Sequence, residues 1–161
     1  MISIAIVDDH RLMRAGLANM IAGFKGYKVI LEAENGKRFI ETLKPNKPPS
    51  IVLLDINMPE MDGYETAQWI RKNLPDTKMI ALSMYDNDYA IIQMLKNGCH
   101  GYLLKNSEPM LLYTAFNEIK KYGYFSNDMV SDKLIHYIGD ESTLKKQQDQ
   151  LNQLTEKEKA F

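Results

Sequence analysis

Three carboxylates, a hydroxyl and an ammonium each follow an apolar run of the chain. Asp8 and Asp9 end ISIAIVDD, Asp55 ends IVLLD, Ser83 ends MIALS and Lys105 ends GYLLK. Taken singly, each is weak, because polar residues commonly follow strands. If the runs are strands of one parallel sheet, however, all of these side chains arrive at the same edge. Two carboxylates about 4 Å apart at an effective dielectric of about 20 repel by roughly 4 kcal/mol, so three must protonate or recruit a cation. A set of hard oxygen donors with room for water favours Mg²⁺. Asp8 and Asp9 therefore read as holding a divalent ion beside Asp55.

Short apolar runs alternating with helix-length amphipathic segments are the pattern of βα units on a parallel sheet. Strands are expected at Ser3–Val7, Tyr27–Ala33, Ser50–Leu54, Met79–Ser83 and Gly101–Leu104. Helices are expected near Arg11–Phe24, Lys37–Lys44, Gly63–Leu74, Asn87–Asn97 and Glu108–Tyr122. Lys25-Gly26, Pro48-Pro49, Pro75-Asp76 and Asn97-Gly98 fall between these segments, where Gly and Pro turn the chain, and Asp62 and Ser107 suit N-caps. The fold predicted is a doubly wound α/β five-stranded parallel sheet, with helices covering both faces. Ligands of such sheets bind outside the carboxyl ends of the strands.

The 161 residues, 45% hydrophobic with a formal net charge of -1, suit one globular domain and a short extra segment. The near balance of charge gives no sign of a nucleic-acid or anionic-membrane surface on that domain. No stretch approaches the roughly 18 apolar residues of a spanning helix, and the N-terminus lacks the layout of a signal peptide, so a cytoplasmic location without membrane contact is expected. The single cysteine, Cys99, supplies neither a disulfide nor a thiolate zinc cluster and reads as a small buried filler. His10, His100 and His136 are scattered, and G-x-S-x-G, H-E-x-x-H and a Gly-rich loop after strand 1 are all missing. His10 reads as a solvent-facing loop residue, and the methionines and Trp69 as packing.

VDDH, LLDINMPEMDG, ALS and GYLLK occur in order and spacing that resemble a response-regulator receiver domain of two-component systems, over about Met1 to Tyr122. DDHRLMRAGL and the tail LTEKEKAF further resemble the NarL/FixJ-type subclass, which carries a LuxR-type helix-turn-helix. The resemblance implies a flavodoxin-like sheet in the order 2-1-3-4-5, and that Asp55 accepts a phosphoryl group from a sensor histidine kinase. It also implies that Asp9, Asp55 and the backbone carbonyl of Asn57 ligate Mg²⁺, with Asp8 acting through a coordinated water. Ser83 and Tyr102 match the family's switch hydroxyl and switch aromatic, and Lys105 its lysine. Ser83 is then expected to move toward the phosphate, and Tyr102 to fill the vacated space from an outward rotamer. Such a protein is a phosphoacceptor that assists its own phosphorylation and dephosphorylation rather than an enzyme, and homodimerisation on phosphorylation is among its implied contacts.

Two departures stand out. Asn106 follows Lys105 where proline is common, which leaves the Lys105-Asn106 peptide without an assigned geometry, and Met84 with Tyr85 is expected to narrow access to the acyl phosphate and slow its turnover. A Mg²⁺-dependent phosphohydrolase, the rival of another class, would place a second aspartate two residues after Asp55; Asn57 stands there. A receiver acting through protein contacts alone is the third alternative.

The expected organisation is a receiver at residues 1–122, a short helix and polar linker at 123–153, and at 154–161 the start of a truncated DNA-binding domain. Ser126 suits the cap of a helix through Tyr137, and Leu144, Leu151 and Leu154 are too few for a coiled coil. Thr155 and Glu158 form the spacing of a capping box before Ala160-Phe161. DNA is accordingly expected as a partner only through the missing C-terminal part, and residues 1 to 161 alone should not retain it.

Overall fold

The computed structural model describes residues 1–84 and 86–127. The strands are β1 (Ile2–Val7), β2 (Tyr27–Ala33), β3 (Ile51–Asp55), β4 (Lys78–Ser83) and β5 (Gly101–Leu104). They alternate with helices α1 (Arg11–Ala22), α2 (Gly36–Thr42), α3 (Gly63–Asn73), α4 (Asp88–Lys96) and α5 (Pro109–Tyr122). All four strand pairings are parallel, in the order β2-β1-β3-β4-β5, as expected. Tyr85 and residues 128–161 lie outside the described residues, and with them the short helix through Tyr137, most of the linker and the whole 154–161 segment.

Parallel strands are buried on both faces, so their side chains alternate between two cores. Ile4, Ile6, Leu53, Ile80, Leu82 and Leu103 pack with Leu17 and Ile21 of α1 and with Leu112, Phe116 and Ile119 of α5. The alternate residues Ala5, Val7, Val52, Leu54, Met79, Ala81 and Tyr102 point to the other face. They are buried, as are Phe39, Ala67, Ile70, Ile91 and Met94 of α2, α3 and α4. Cys99 is likewise buried, which pushes its thiol up to about 12, consistent with inert filling.

Element boundaries depart from expectation by one or two residues, with local causes. Asp62 caps α3 by accepting from the Glu65 amide at 2.9 Å, as expected. Asn87, expected as the first residue of α4, is instead its N-cap and accepts from the Ala90 amide at 3.1 Å. Ser107 does not cap α5. Pro109 takes the first helical position and holds Glu108 before it in extended geometry, while Ser107 closes a turn back to the Leu104 carbonyl at 3.0 Å. Asp55 itself belongs to β3, and its pairing with Leu82 of β4 extends the ladder by one residue.

Candidate functional site

The registers set the site. Val7 pairs with Leu54, so Asp8 and Asp55 leave neighbouring strands side by side at the point where the strand order reverses. Asp55 pairs with Leu82 and Ser83 with Leu104, so Ser83 and Lys105 follow at the same edge. Backbone bonds hold these positions: the Asp8 amide donates to the Ala33 carbonyl at 3.0 Å and the Lys105 amide to the Ser83 carbonyl at 2.8 Å.

The loop after Asp55 is drawn tightly over it. Gly63 donates its amide to the Ile56 carbonyl at 2.8 Å, closing residues 56 to 63. A Cβ on Gly63 would run into the Asp55 carbonyl oxygen and lie 2.7 Å from the Ile56 Cα, so the close approach requires glycine. Asn57 is exposed in that loop, two residues beyond Asp55.

Lys105 joins the two buried acids. Its ammonium lies 2.8 Å from Asp8 Oδ2 and 3.2 Å from Asp55 Oδ1, with all three side chains nearly inaccessible. One ammonium does not balance them. Burial, and then the Asp8 charge, push the Asp55 carboxyl up to about 7 against the opposing pull of Lys105. Asp55 Oδ2 is buried without a hydrogen-bond partner. A buried carboxylate oxygen in that state is costly unless a further positive group arrives. Asp9, beside it, is exposed.

His10 belongs to this group, which its reading as a plain loop residue missed. Its ring is 61% exposed, but Nδ1 lies 3.2 Å from Asp8 Oδ1, 3.4 Å from Asp9 Oδ1 and 3.3 Å from Lys105 Nζ. Asp8, Asp9, His10 and Asp55 each offer a ligand atom, and these atoms all lie within 4.8 Å of one another. The only signal in the sequence was position, since His10 directly follows Asp9.

Ser83 and Tyr102 meet beside this cluster. Their side chains are hydrogen-bonded to each other, and both are buried, with Tyr102 fully so. The outward rotamer expected of Tyr102 is therefore not the one adopted. The ring fills the space at the inner face of β4 and β5, where its hydroxyl has a partner and no polar atom is stranded. The Lys105-Asn106 peptide is trans. Met84 is exposed and, with His10, Leu12 and Lys105, lines an apolar cavity of about 540 Å³ between α1 and the start of α5.

Comparison with known proteins settles the family. Residues 4–117 match the response regulator receiver domain. The chain belongs to that family. Among similar proteins, the transcriptional regulatory protein DegU of Brevibacillus brevis is 32% identical over 134 residues, covering 83% of this chain and 56% of that protein. The nitrate/nitrite response regulator NarL of Escherichia coli is 34% identical over 116 residues, 72% of this chain and 53% of NarL. The transcriptional regulatory protein YdfI of Bacillus subtilis is 38% identical over 156 residues, 96% of this chain and 70% of YdfI. The response regulator RcsB of Salmonella typhimurium has a matching structure, with a TM-score of 0.76 and 25% identity over 83% of this chain and 69% of that one.

The receiver thus spans about half the length of the first of these relatives, DegU and NarL. It is related to two-component regulators of transcription such as these, and a structure of RcsB bound to DNA is among its structural matches. Among the described residues, no helix is long and apolar enough to cross a membrane.

Proposed function

We propose that Asp55 is the phosphoacceptor of a two-component response regulator. A carboxylate oxygen of Asp55 attacks the phosphorus of a donor phosphohistidine on a sensor kinase. The phosphorus–nitrogen bond breaks, its electron pair stays on the imidazole, and an acyl phosphate forms. The observation that carries this reading is Asp55 Oδ2, buried at a strand end without a hydrogen bond and one ion pair away from Lys105.

The donor set suits Mg²⁺, with Asp9, Asp55 and the Asn57 carbonyl as direct ligands and Asp8 through water. When bound, that ion supplies positive charge to the phosphoryl oxygens. Lys105, already held between Asp8 and Asp55, is in reach of the same oxygens as a point charge. Ser83 exchanges its hydrogen bond with Tyr102 for one to the phosphoryl group, which frees the Tyr102 hydroxyl and repacks the face between β4 and β5. Since Tyr102 is already inside, the switch consists of that exchange rather than an inward swing. Met84, exposed and lining the same cavity as Lys105, slows hydrolysis by crowding the approach of water.

The protein as a whole is read as a cytoplasmic regulator rather than an enzyme, whose receiver controls an attached DNA-binding module and a homodimer contact. The relatedness to DegU, NarL and RcsB supports this, as does Asn57 at the position where a phosphohydrolase carries its acid. Incubation with a small phosphodonor and Mg²⁺ should add one phosphoryl group to the intact mass of the parent and none to Asp55→Asn. Labelling that persists in the variant would move the site.

A further inference from the structure

We propose that the pocket between the last turns of α3 and α4, at the edge where β4 and β5 begin, binds a small phosphate monoester through Arg71, Lys96 and His100. It lies at the opposite end of the strands from Asp55 and depends on none of the chemistry assigned there.

The fold turns His100 into a fixed donor. Its Nδ1 accepts from the Met79 amide at 3.0 Å and so carries no proton. Burial, and then Lys78, pull the imidazole down to about 4, so the ring is neutral at pH 7 and its one proton sits on Nε2. The ring lines the pocket, and Nε2 has no partner among the described residues. Arg71 is held beside it. Its stem lies against Gly98, where a Cβ would come within 3.0 Å of Arg71 Cδ, and its Nη1 donates to the Lys96 carbonyl at 3.1 Å. The other guanidinium N–H groups have no partner among the described residues.

The charge has one sign. Arg71 and Lys96 both line the pocket, and no carboxylate does. Asp76, next in sequence to the lining residues Pro75 and Thr77, is exposed and makes no ion pair with Arg71. The carbonyl ends of α3 and α4 offset about half an elementary charge each, which two full cations outweigh. Arg71 and Lys96 are exposed, so water serves these groups until a ligand replaces it, and the fold carries no cost for them.

Two cations and a neutral N–H suit an anion with more than one charge and several acceptor oxygens. A phosphate monoester carries about −1.5 to −2 at pH 7 and presents three such oxygens, whereas a carboxylate presents two oxygens and a single charge. The pocket, of about 440 Å³, is larger than a bare phosphate and falls in the size range of small-molecule sites. Pro75, Met79 and Leu95 give it an apolar wall for the organic part of the ester.

The test is a nuclear magnetic resonance titration of the full 161-residue chain with phenyl phosphate, inorganic phosphate and benzoate. Divalent ions are left out, so that phosphate finds no partner at the acidic edge. Phenyl phosphate should shift the His100 ring and the Gly98 amide saturably, with inorganic phosphate and benzoate each weaker by about tenfold. Arg71→Gln, which changes an exposed side chain, should weaken phenyl phosphate by about tenfold or more, and Arg71→Lys by less, with amide signals outside the pocket unmoved. No shift at His100 and Gly98 in the parent, or undiminished binding by Arg71→Gln, overturns the site. Benzoate binding as tightly as phenyl phosphate overturns the phosphate, and inorganic phosphate binding as tightly overturns the ester.

Discussion

Polar side chains are buried at both ends of this sheet, yet they are satisfied in opposite ways. At the end where β4 and β5 begin, the buried Thr77 hydroxyl donates to the Pro49 carbonyl at 2.8 Å, and His100 Nδ1 accepts from the Met79 amide at 3.0 Å. The His100 backbone is bonded on both sides, to Met79 and to Phe125, at 2.8 Å each. At the carboxyl end, two buried acids share one ammonium and Asp55 Oδ2 has no hydrogen bond. Polar groups buried for architecture close their hydrogen bonds within the chain. Those at the reactive end leave an opening for something that arrives from outside, and the fold carries the cost.

The strongest way to break the contrast is to remove the cation that the reactive end already has. Lys105→Met leaves Asp8 and Asp55 buried together without a counter-ion and should destabilise the protein by roughly 3 kcal/mol at pH 8 in the absence of divalent ions. Urea unfolding with and without Mg²⁺ checks this, with partial recovery expected on adding the ion. Unchanged stability would mean that the ion pairs contribute nothing.

Asp55→Asn should act in the opposite direction. The Asp55 carboxyl is raised from 3.8 to about 7, chiefly by burial. As pH rises through that window the unfolded chain has released its proton while the folded chain retains it, so stability falls. The neutral variant escapes the penalty. Without metal it should exceed the parent in stability by on the order of 2 kcal/mol at pH 8, with the gain fading toward pH 4. A gain that does not depend on pH would point to packing instead.

His100→Asn sharpens the other side of the comparison with the smallest effect. Burial, and then Lys78, pull the His100 imidazole down from 6.5 to about 4. As pH falls through that window the unfolded chain takes up a proton that the folded chain refuses, so stability is lost toward acid. Because the ring is partly solvated, the loss should be no more than about 2 kcal/mol. The asparagine variant can keep an acceptor for the Met79 amide and should flatten the slope between pH 7 and 4.5, measured by denaturant unfolding. Identical slopes in parent and variant would assign the acid sensitivity elsewhere.

Strand positions and the membership of Asp8, Asp55, Ser83 and Lys105 in one edge were legible from the chain alone, while the strand order came through the resemblance to receivers. Each of these residues directly follows an apolar run, and in a parallel sheet chain continuity and register then leave it no other place to go. The N-cap of α3 was equally local, since Asp62 reaches an amide three residues on. What tertiary structure decided were the contacts made across the sequence. His10 joins the site because Lys105, 95 residues away, comes within 3.3 Å of it, and no local pattern encodes that meeting. Tyr102 lies inward because the Ser83 hydroxyl on the neighbouring strand offers it a partner within the core. The open valence of Asp55 Oδ2 is of the same kind. Sequence placed the acid at the edge, but only the packing of the loop through Gly63, with Lys105 committed to the other oxygen, left that atom buried and unanswered. Backbone position is set by neighbours along the chain, whereas rotamer, partner and desolvation are set by neighbours in space.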